Sequence, residues 1–363
     1  MARDPGAVGR VRTSTMIPAN PARLLRRLVL WTAGLTAIVG CGGGGSSTAT
    51  GPSSNPSPAS LPHGIYVSGG PTTGVGEGSV TTALAQEPFV AGFLVRIAWK
   101  DLEPTEGAFA WSLLDGQLAR ARQYGKKVAL GIVNGPGAPD WVYAKGAAGF
   151  DFLFRGTTQS RMPIPWDAVY LDAWTTIIAA LGGRYGTDPT IALVHATSST
   201  GNGFEMQLPS TPTDLAAWTA KGYTTTRVAD AWARVIDAFA DAFPATTLDV
   251  ELHPVLASDA VATSVMTHAA TRGAFAFAAW WSQTNTSVYA GPFALLQASA
   301  GRGFASVQFV TNATNDPSGF GVGGFDGAIT LALDTGVRYM EIWDTDLRNA
   351  ALRATFVDLA TRL

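Results

Sequence analysis

The stretch from Phe93 to Trp141 decides the fold: Val95-Arg96-Ile97-Ala98-Trp99 closes an apolar run, Leu102-Glu103-Pro104 and Trp111-Ser112-Leu113-Leu114-Asp115 follow, and Gly135-Pro136-Gly137-Ala138-Pro139-Asp140-Trp141 ends it. Leu113, Leu114, Leu118 and Ala121 recur at helical spacing, and Lys127 to Val133 is a second apolar run bounded by a turn. The pattern predicts strand, loop, helix, strand and an aromatic-tipped loop, which is one βαβ unit.

Outward from this unit the same alternation continues. Strands are predicted at Gly64–Ser68, Gly92–Trp99, Lys127–Val133, Ile191–Thr197, Thr247–Pro254, Phe275–Trp281, Ala305–Asn312 and Val337–Trp343. Amphipathic stretches such as Ala168–Tyr185, Thr225–Phe243 and Ser258–Arg272 lie between them. Eight strands alternating with helices predict an α/β chain closing into a single (β/α)8 TIM barrel. A doubly wound open sheet is the rival, but Gly69-Gly70-Pro71 after the first strand lacks the phosphate-binding glycine fingerprint. The segment from Arg161 to Trp166, with Pro163 and Pro165, reads as a rigid loop across the outside of the working face.

The order and punctuation of residues 91–141 resemble the start of the (β/α)8 barrels of glycoside hydrolase clan A. The likeness is strongest to the family 42 β-galactosidases, with family 5 also similar, in an Arg-bearing second strand followed by W..LEP..G.F.WS.LD. The resemblance implies a carbohydrate substrate and places Arg96 in the barrel mouth near the catalytic carboxylates. It also implies an acid/base Glu at the end of the fourth strand and a nucleophilic Glu at the end of the seventh.

Composition frames these expectations. The chain has 363 residues, 47% of them hydrophobic and only 14% charged, against roughly 25% charged in an average globular domain, so a large buried fraction is expected. It holds 11 Trp, most of them expected between helices and barrel, with a remainder at loop tips suited to stacking on sugar rings.

The amino-terminal part reads as a lipoprotein leader. Arg23, Arg26 and Arg27 precede a short apolar run from Leu28 to Val39, too short to span a bilayer and suited to a signal-peptide core. Ile38-Val39-Gly40-Cys41 resembles the bacterial lipobox. The expected organisation is a signal peptide over 1–40, lipidated Cys41 with a Gly/Ser/Pro tether over 41–61, and a barrel over 62–363. Export and lipid anchoring to a membrane of the cell envelope follow. Cys41 is the only cysteine, so no disulfide can form within the chain.

Residues 1–40 hold six Arg and one Asp, which leaves 19 basic and 26 acidic residues beyond them, a net charge of −7. No basic stripe for nucleic acid is predicted. The partners expected are a carbohydrate and a membrane, and the barrel is expected to act as a monomer without a cofactor. His63, His195, His253 and His268 show no metal-ligand spacing, so no metal is expected. A serine nucleophile elbow is absent from the sequence.

Glycoside hydrolysis needs two carboxyl groups flanking the bond, about 5 Å apart in retaining enzymes and farther apart in inverting ones. Glu205, on the glycine-rich loop Thr200-Gly201-Asn202-Gly203-Phe204-Glu205-Met206 after the fourth strand, takes the acid role by location, although the family's Asn-Glu dipeptide is missing. Ser306-Val307-Gln308-Phe309-Val310-Thr311-Asn312 on the seventh strand contains no acid, so the second carboxylate must come from elsewhere. Strand parity puts Asp249, Glu251 and His253 on one face of the fifth strand and Tyr339, Glu341 and Trp343 on one face of the eighth. Glu341 is preferred as the second carboxylate because Trp343, Asp344 and Asp346 follow it, and Glu251 is the alternative.

Arg96, Trp99, Asn134, Trp141, His253, Trp281, Gln308, Asn312 and Trp343 are the expected substrate contacts, with Trp343 as the sugar platform that the resemblance implies. Trp280, Gln283 and Asn285 cluster near Trp281, and His195 is placed where it could reach a sugar hydroxyl. The leading expectation is a glycosidase acting on a β-linked oligo- or polysaccharide. The alternatives are a barrel that binds glycan without cleaving it and a structural envelope lipoprotein.

Overall fold

The computed structural model describes residues 61–69, 77–272 and 278–363. The leader, Cys41 and nearly all of the tether lie outside the described residues, as does the part of the predicted sixth strand from Phe275 to Phe277.

Eight parallel strands form one sheet: β1 (Gly64–Ser68), β2 (Val90–Ala98), β3 (Lys127–Val133), β6 (Ile191–His195), β7 (Thr247–Asp249), β8 (Ala279–Ser282), β9 (Ser306–Phe309) and β10 (Tyr339–Trp343). Around the sheet they run β7, β6, β3, β2, β1, β10, β9, β8. The two ends meet, because Ala279 N donates to Val250 O and Leu252 N donates to Ala279 O, both at 3.0 Å, beside a Glu251–Ala279 bridge. Closure removes the exposed strand edges that an open sheet would leave. The rival open sheet is thereby set aside.

β4 (Gly149–Phe154) and β5 (Thr158–Pro163) form an antiparallel hairpin outside the barrel. It replaces the expected loop over Arg161–Trp166. The signal was present: Phe150, Phe152 and Phe154 alternate with other residues, and Arg155-Gly156 marks a turn.

The helices cover the outside of the barrel. In Thr225–Ala242, Val228, Ala231, Trp232, Val235, Ile236 and Phe239 make one buried face at 3.6-residue spacing. The Thr224 hydroxyl caps this helix by accepting Arg227 N at 3.1 Å, and Asp167 caps Ala168–Tyr185 by accepting Tyr170 N at 3.0 Å. Each such cap contributes about 1 kcal/mol.

The lumen is layered. At its base Tyr66, Leu94, Ala129, Leu193, Phe304 and Tyr339 pack together, with Tyr66 and Tyr339 ring centroids 4.3 Å apart. A Cβ on Gly92 would lie 2.4 Å from the Tyr66 ring, so this strand position must be Gly for the tyrosine to lie across it. Above this apolar base the inward residues are polar: Ser68, Arg96, His195, Asp249, Glu251, Gln308 and Glu341.

Candidate active site

A cleft of about 780 Å³ opens at the carboxyl ends of the strands, and Arg96, Asn202, Glu205, Trp281, Gln308 and Trp343 are among its lining residues. This is the face where (β/α)8 barrels place their ligand sites.

The loop after β6 builds one wall. Asn202 Oδ1 accepts Phe204 N at 3.0 Å and Glu205 N at 3.1 Å, while the Thr200 hydroxyl accepts Gly203 N at 3.0 Å. Gly203 has φ of +81°, and a Cβ there would sit 2.1 Å from Asn134 O. The Phe204 ring then drops onto β3, filling the space that a side chain at Gly131 would occupy, 2.3 Å from the ideal Cβ position. Glu205 follows with its carboxyl toward the cleft, 7% exposed, and its Oε2 has no hydrogen-bond partner. Burial raises its pKa, against the opposing pull of Arg96 and a Trp281 hydrogen bond. A carboxyl kept toward its protonated form at a cleft wall has the character of a general acid.

Arg96 lies on the floor, donating to the Gly69 carbonyl and to Ser68 Oγ at 3.4 Å. Its guanidinium carbon is 5.7 Å from the Phe204 ring centroid and 5.9 Å from that of Trp343. Burial lowers its pKa, and the charges of Glu341, Glu205 and Glu251 act in the opposite sense. Trp343 is pinned by its Nε1 donating to Phe309 O at 2.8 Å.

Beneath the floor the acids meet histidine. His195 Nδ1 is 2.6 Å from Asp249 Oδ1, and its Nε2 is 2.8 Å from Glu341 Oε1. Neutral imidazole carries one N–H, so an acceptor at each nitrogen favours the imidazolium. Burial alone would lower the His195 pKa, but Asp249 and Glu341 together raise it well above the ordinary value. Glu341 also accepts from Tyr339 Oη at 2.8 Å and from Gln308 Nε2 at 3.4 Å, and Asp249 Oδ2 accepts from Ser306 Oγ at 2.5 Å. Glu251, completely desolvated and near Glu341 and Asp249, has its pKa raised well above the usual carboxylate range. Glu341 is 1% exposed and Glu251 2%, and neither lines the cleft.

Of the expected site residues, Arg96, Glu205, Trp281, Gln308 and Trp343 converge on this cleft. Trp99 and Asn134 do not, because parity turns them outward: Arg96 faces the lumen, so Ile97 and Trp99 face the helices, and Asn134 follows cleft-lining Val133. Trp99 is wholly buried with Nε1 donating to Glu103 Oε2 at 2.8 Å, and Asn134 donates to Tyr170 Oη at 2.9 Å. Trp141 packs edge-on against Trp99 and donates to Glu103 O at 3.0 Å. Asn312 lies beyond the end of β9 and accepts Asn315 N at 2.9 Å, organising its own loop. His253 is fully buried against Trp281, with neither ring nitrogen bonded, and burial lowers its pKa to about 3. His195, expected above the barrel, is instead the centre of the lumen cluster. Asn202, Phe204 and the hairpin tip are cleft residues that the sequence reading did not single out. Among the described residues no group of three His, Cys, Asp or Glu could hold a metal ion.

Residues 91–240 match the family model of glycoside hydrolase family 42, described as beta-galactosidase. Similar solved structures include a β-galactosidase from the psychrophilic Marinomonas ef1, with 16% identity, a TM-score of 0.49, and coverage of 77% of this chain and 54% of that one. The chain therefore spans about half the length of that enzyme. A psychrophilic family 10 endo-β-1,4-xylanase is similar at 10% identity and a TM-score of 0.48, covering 80% of this chain and 88% of that one. An exo-β-1,4-mannosidase from Opitutaceae bacterium strain TAV5 is similar at 10% identity and a TM-score of 0.43, covering 81% and 55%. Among curated protein sequences none matches significantly. The chain is thus a (β/α)8 barrel in which residues 91–240 match the family 42 model.

Proposed function

We propose that the barrel is a glycosidase that takes a β-linked oligo- or polysaccharide into the cleft, with Glu205 as the proton donor to the leaving oxygen. One observation carries the reading: a carboxyl group with a raised pKa opens onto a cleft that also presents Trp281, Trp343 and Arg96. Indole faces stack on the C–H faces of sugars, and amides such as Gln308 and Asn202 supply hydrogen bonds to hydroxyls. Glu341 is proposed as the second carboxylate and reaches the cleft once the Gln308 amide above it gives way to substrate. Glu251 is the alternative.

A second reading is favoured by the burial of Glu341 and Glu251: the cleft binds glycan without cleaving it. Reducing-sugar release from a panel of β-linked glycans separates the two, run on the purified chain beside Glu205→Gln and Glu341→Gln. Turnover lost in both variants supports the two-carboxylate mechanism, binding without release supports the second reading, and turnover unchanged in both rejects the assignment. The chain is further proposed to be exported and lipid-anchored through Cys41. A Cys41→Ser chain that still partitioned wholly into membranes would exclude that anchor.

A further inference from the structure

The rim of the cleft carries a charge that the neutral-sugar contacts leave unused. One wall is the β4–β5 hairpin, whose base is firmly seated: Phe150 stacks on Trp218 with centroids 3.6 Å apart, Phe152 and Met162 are buried, and Ser199 Oγ donates to Pro163 O at 2.6 Å. Strand alternation brings Phe154 to the same side as Phe150 and Phe152, at the edge of the cleft. The chain then turns through Arg155 and Gly156, with φ of +52° and +75°. Hairpin positions of this kind favour Gly or Asn, and a larger residue costs about 1 kcal/mol. Arg155 stands there nevertheless.

Its guanidinium carbon lies 5.3 Å from the Phe154 ring centroid, and the residue is exposed at the rim. Among the described residues it forms no ion pair, since the hairpin's own Asp151 faces Arg161 at 3.8 Å. Below it Arg96 has a buried Nε without a partner. Two acids share this cleft. Asp214 is committed to capping Pro212–Ala220, accepting Thr211 N at 2.9 Å and Thr211 Oγ1 at 2.6 Å. Glu205 sits within reach of both arginines, and burial holds it toward its neutral form. When Glu205 carries its proton, the two guanidinium groups share the cleft lining with Asp214 alone, and that carboxyl is turned to its helix cap.

We infer that the sugar chain bound here carries an anionic substituent, a uronate carboxylate or a sulfate ester, held by Arg155 at the rim and Arg96 on the floor. The inference rests on the glycan reading above. Guanidinium presents paired N–H donors that match the oxygen spacing of carboxylate and sulfate, and a partly desolvated site strengthens that contact.

Equilibrium binding of the full chain tests this with three probes: a β-linked oligosaccharide containing uronic acid, the same oligosaccharide with its carboxyls reduced to alcohols, and a sulfated form of the reduced one. The charged forms are expected to bind at least tenfold more tightly than the reduced form, and more weakly as salt is raised. Arg155→Ala, at an exposed turn where the wild-type residue is strained, should bring that ratio close to one, with Arg155→Lys in between. The tighter of the two charged forms names the substituent. Equal affinity for charged and reduced forms, or a preference that survives Arg155→Ala, overturns the inference while leaving the glycan reading in place. Binding of none of the three overturns both.

Discussion

Two levels of the same barrel, the lumen and the cleft above it, both hold acids and differ in their chemistry. In the lower layer Glu341 is held by His195, Tyr339 and Gln308, and Asp249 is held by Ser306 with the His195 ring 2.6 Å away. In the upper one Glu205 keeps an unpaired oxygen at the edge of a cleft. Inward parity therefore determines which acids enter a barrel, and depth determines which of them can meet a ligand. A carboxylate already holding three protein donors is a part of the scaffold until something displaces one of them.

The sharpest way to break this contrast is Glu205→Gln. A positioned proton donor contributes about 10²–10⁴-fold to rate, so kcat on a β-linked substrate should fall by at least about a hundredfold while glycan affinity changes little. A variant retaining wild-type kcat would place the working acid elsewhere.

The next largest effect belongs to the lower layer and should appear in stability. His195→Ala leaves Asp249 and Glu341 facing each other without the imidazolium, and breaking a buried pair of this kind costs about 3–5 kcal/mol. Denaturant midpoints check it. The same cluster sets a pH dependence. The folded-state pKa of His195 is raised above its unfolded value of roughly 6.5, so its contribution is complete below that pH and is lost as pH rises through the folded value. The urea midpoint of the wild-type chain should fall on going from neutral to alkaline pH, and His195→Gln should flatten that slope.

These two tests also mark what the sequence made legible. Eight strands and the inward Arg96, Glu251 and Glu341 could be read because parity on a barrel strand is strict and the apolar runs are long. Trp99 and Asn134 follow the same rule in the outward sense, and counting from Arg96 would have excluded Trp99. Depth was hidden, since it depends on strand stagger around the closed sheet and on where β7 and β9 end, at Asp249 and Phe309. The position of Glu205 depends on a loop held by Asn202 and on the packing of Phe204 over Gly131, a contact between segments about seventy residues apart in sequence. No local pattern encodes that distance.

Smaller effects sharpen the upper layer. Trp343→Ala removes an indole held by Phe309 O on the cleft wall and in contact range of Arg96, and should weaken glycan binding by about tenfold, read as KM more than kcat. Gly131→Ala tests the floor from below. Its new methyl would meet the Phe204 ring at 2.3 Å, so the ring must move, at a cost of about 1–3 kcal/mol in stability.

The smallest expected change has an unusual sign. Glu251 is buried with Oε2 unbonded, and its folded pKa is raised well above the usual carboxylate value by desolvation and by Glu341 and Asp249. In the unfolded chain it ionises near pH 4.3, so folding takes up a proton between that pH and the folded value, and stability falls as pH rises through this interval. Glu251→Gln keeps the shape, cannot ionise, and turns an amide donor toward two neighbouring acids. It should therefore raise stability at pH 8 by about 1 kcal/mol and leave stability at pH 4 nearly unchanged. A loss of stability at pH 8 would mean that the ionised carboxylate is accommodated in the lower layer. Glu251 would then be an acid whose charge the lumen is built to hold.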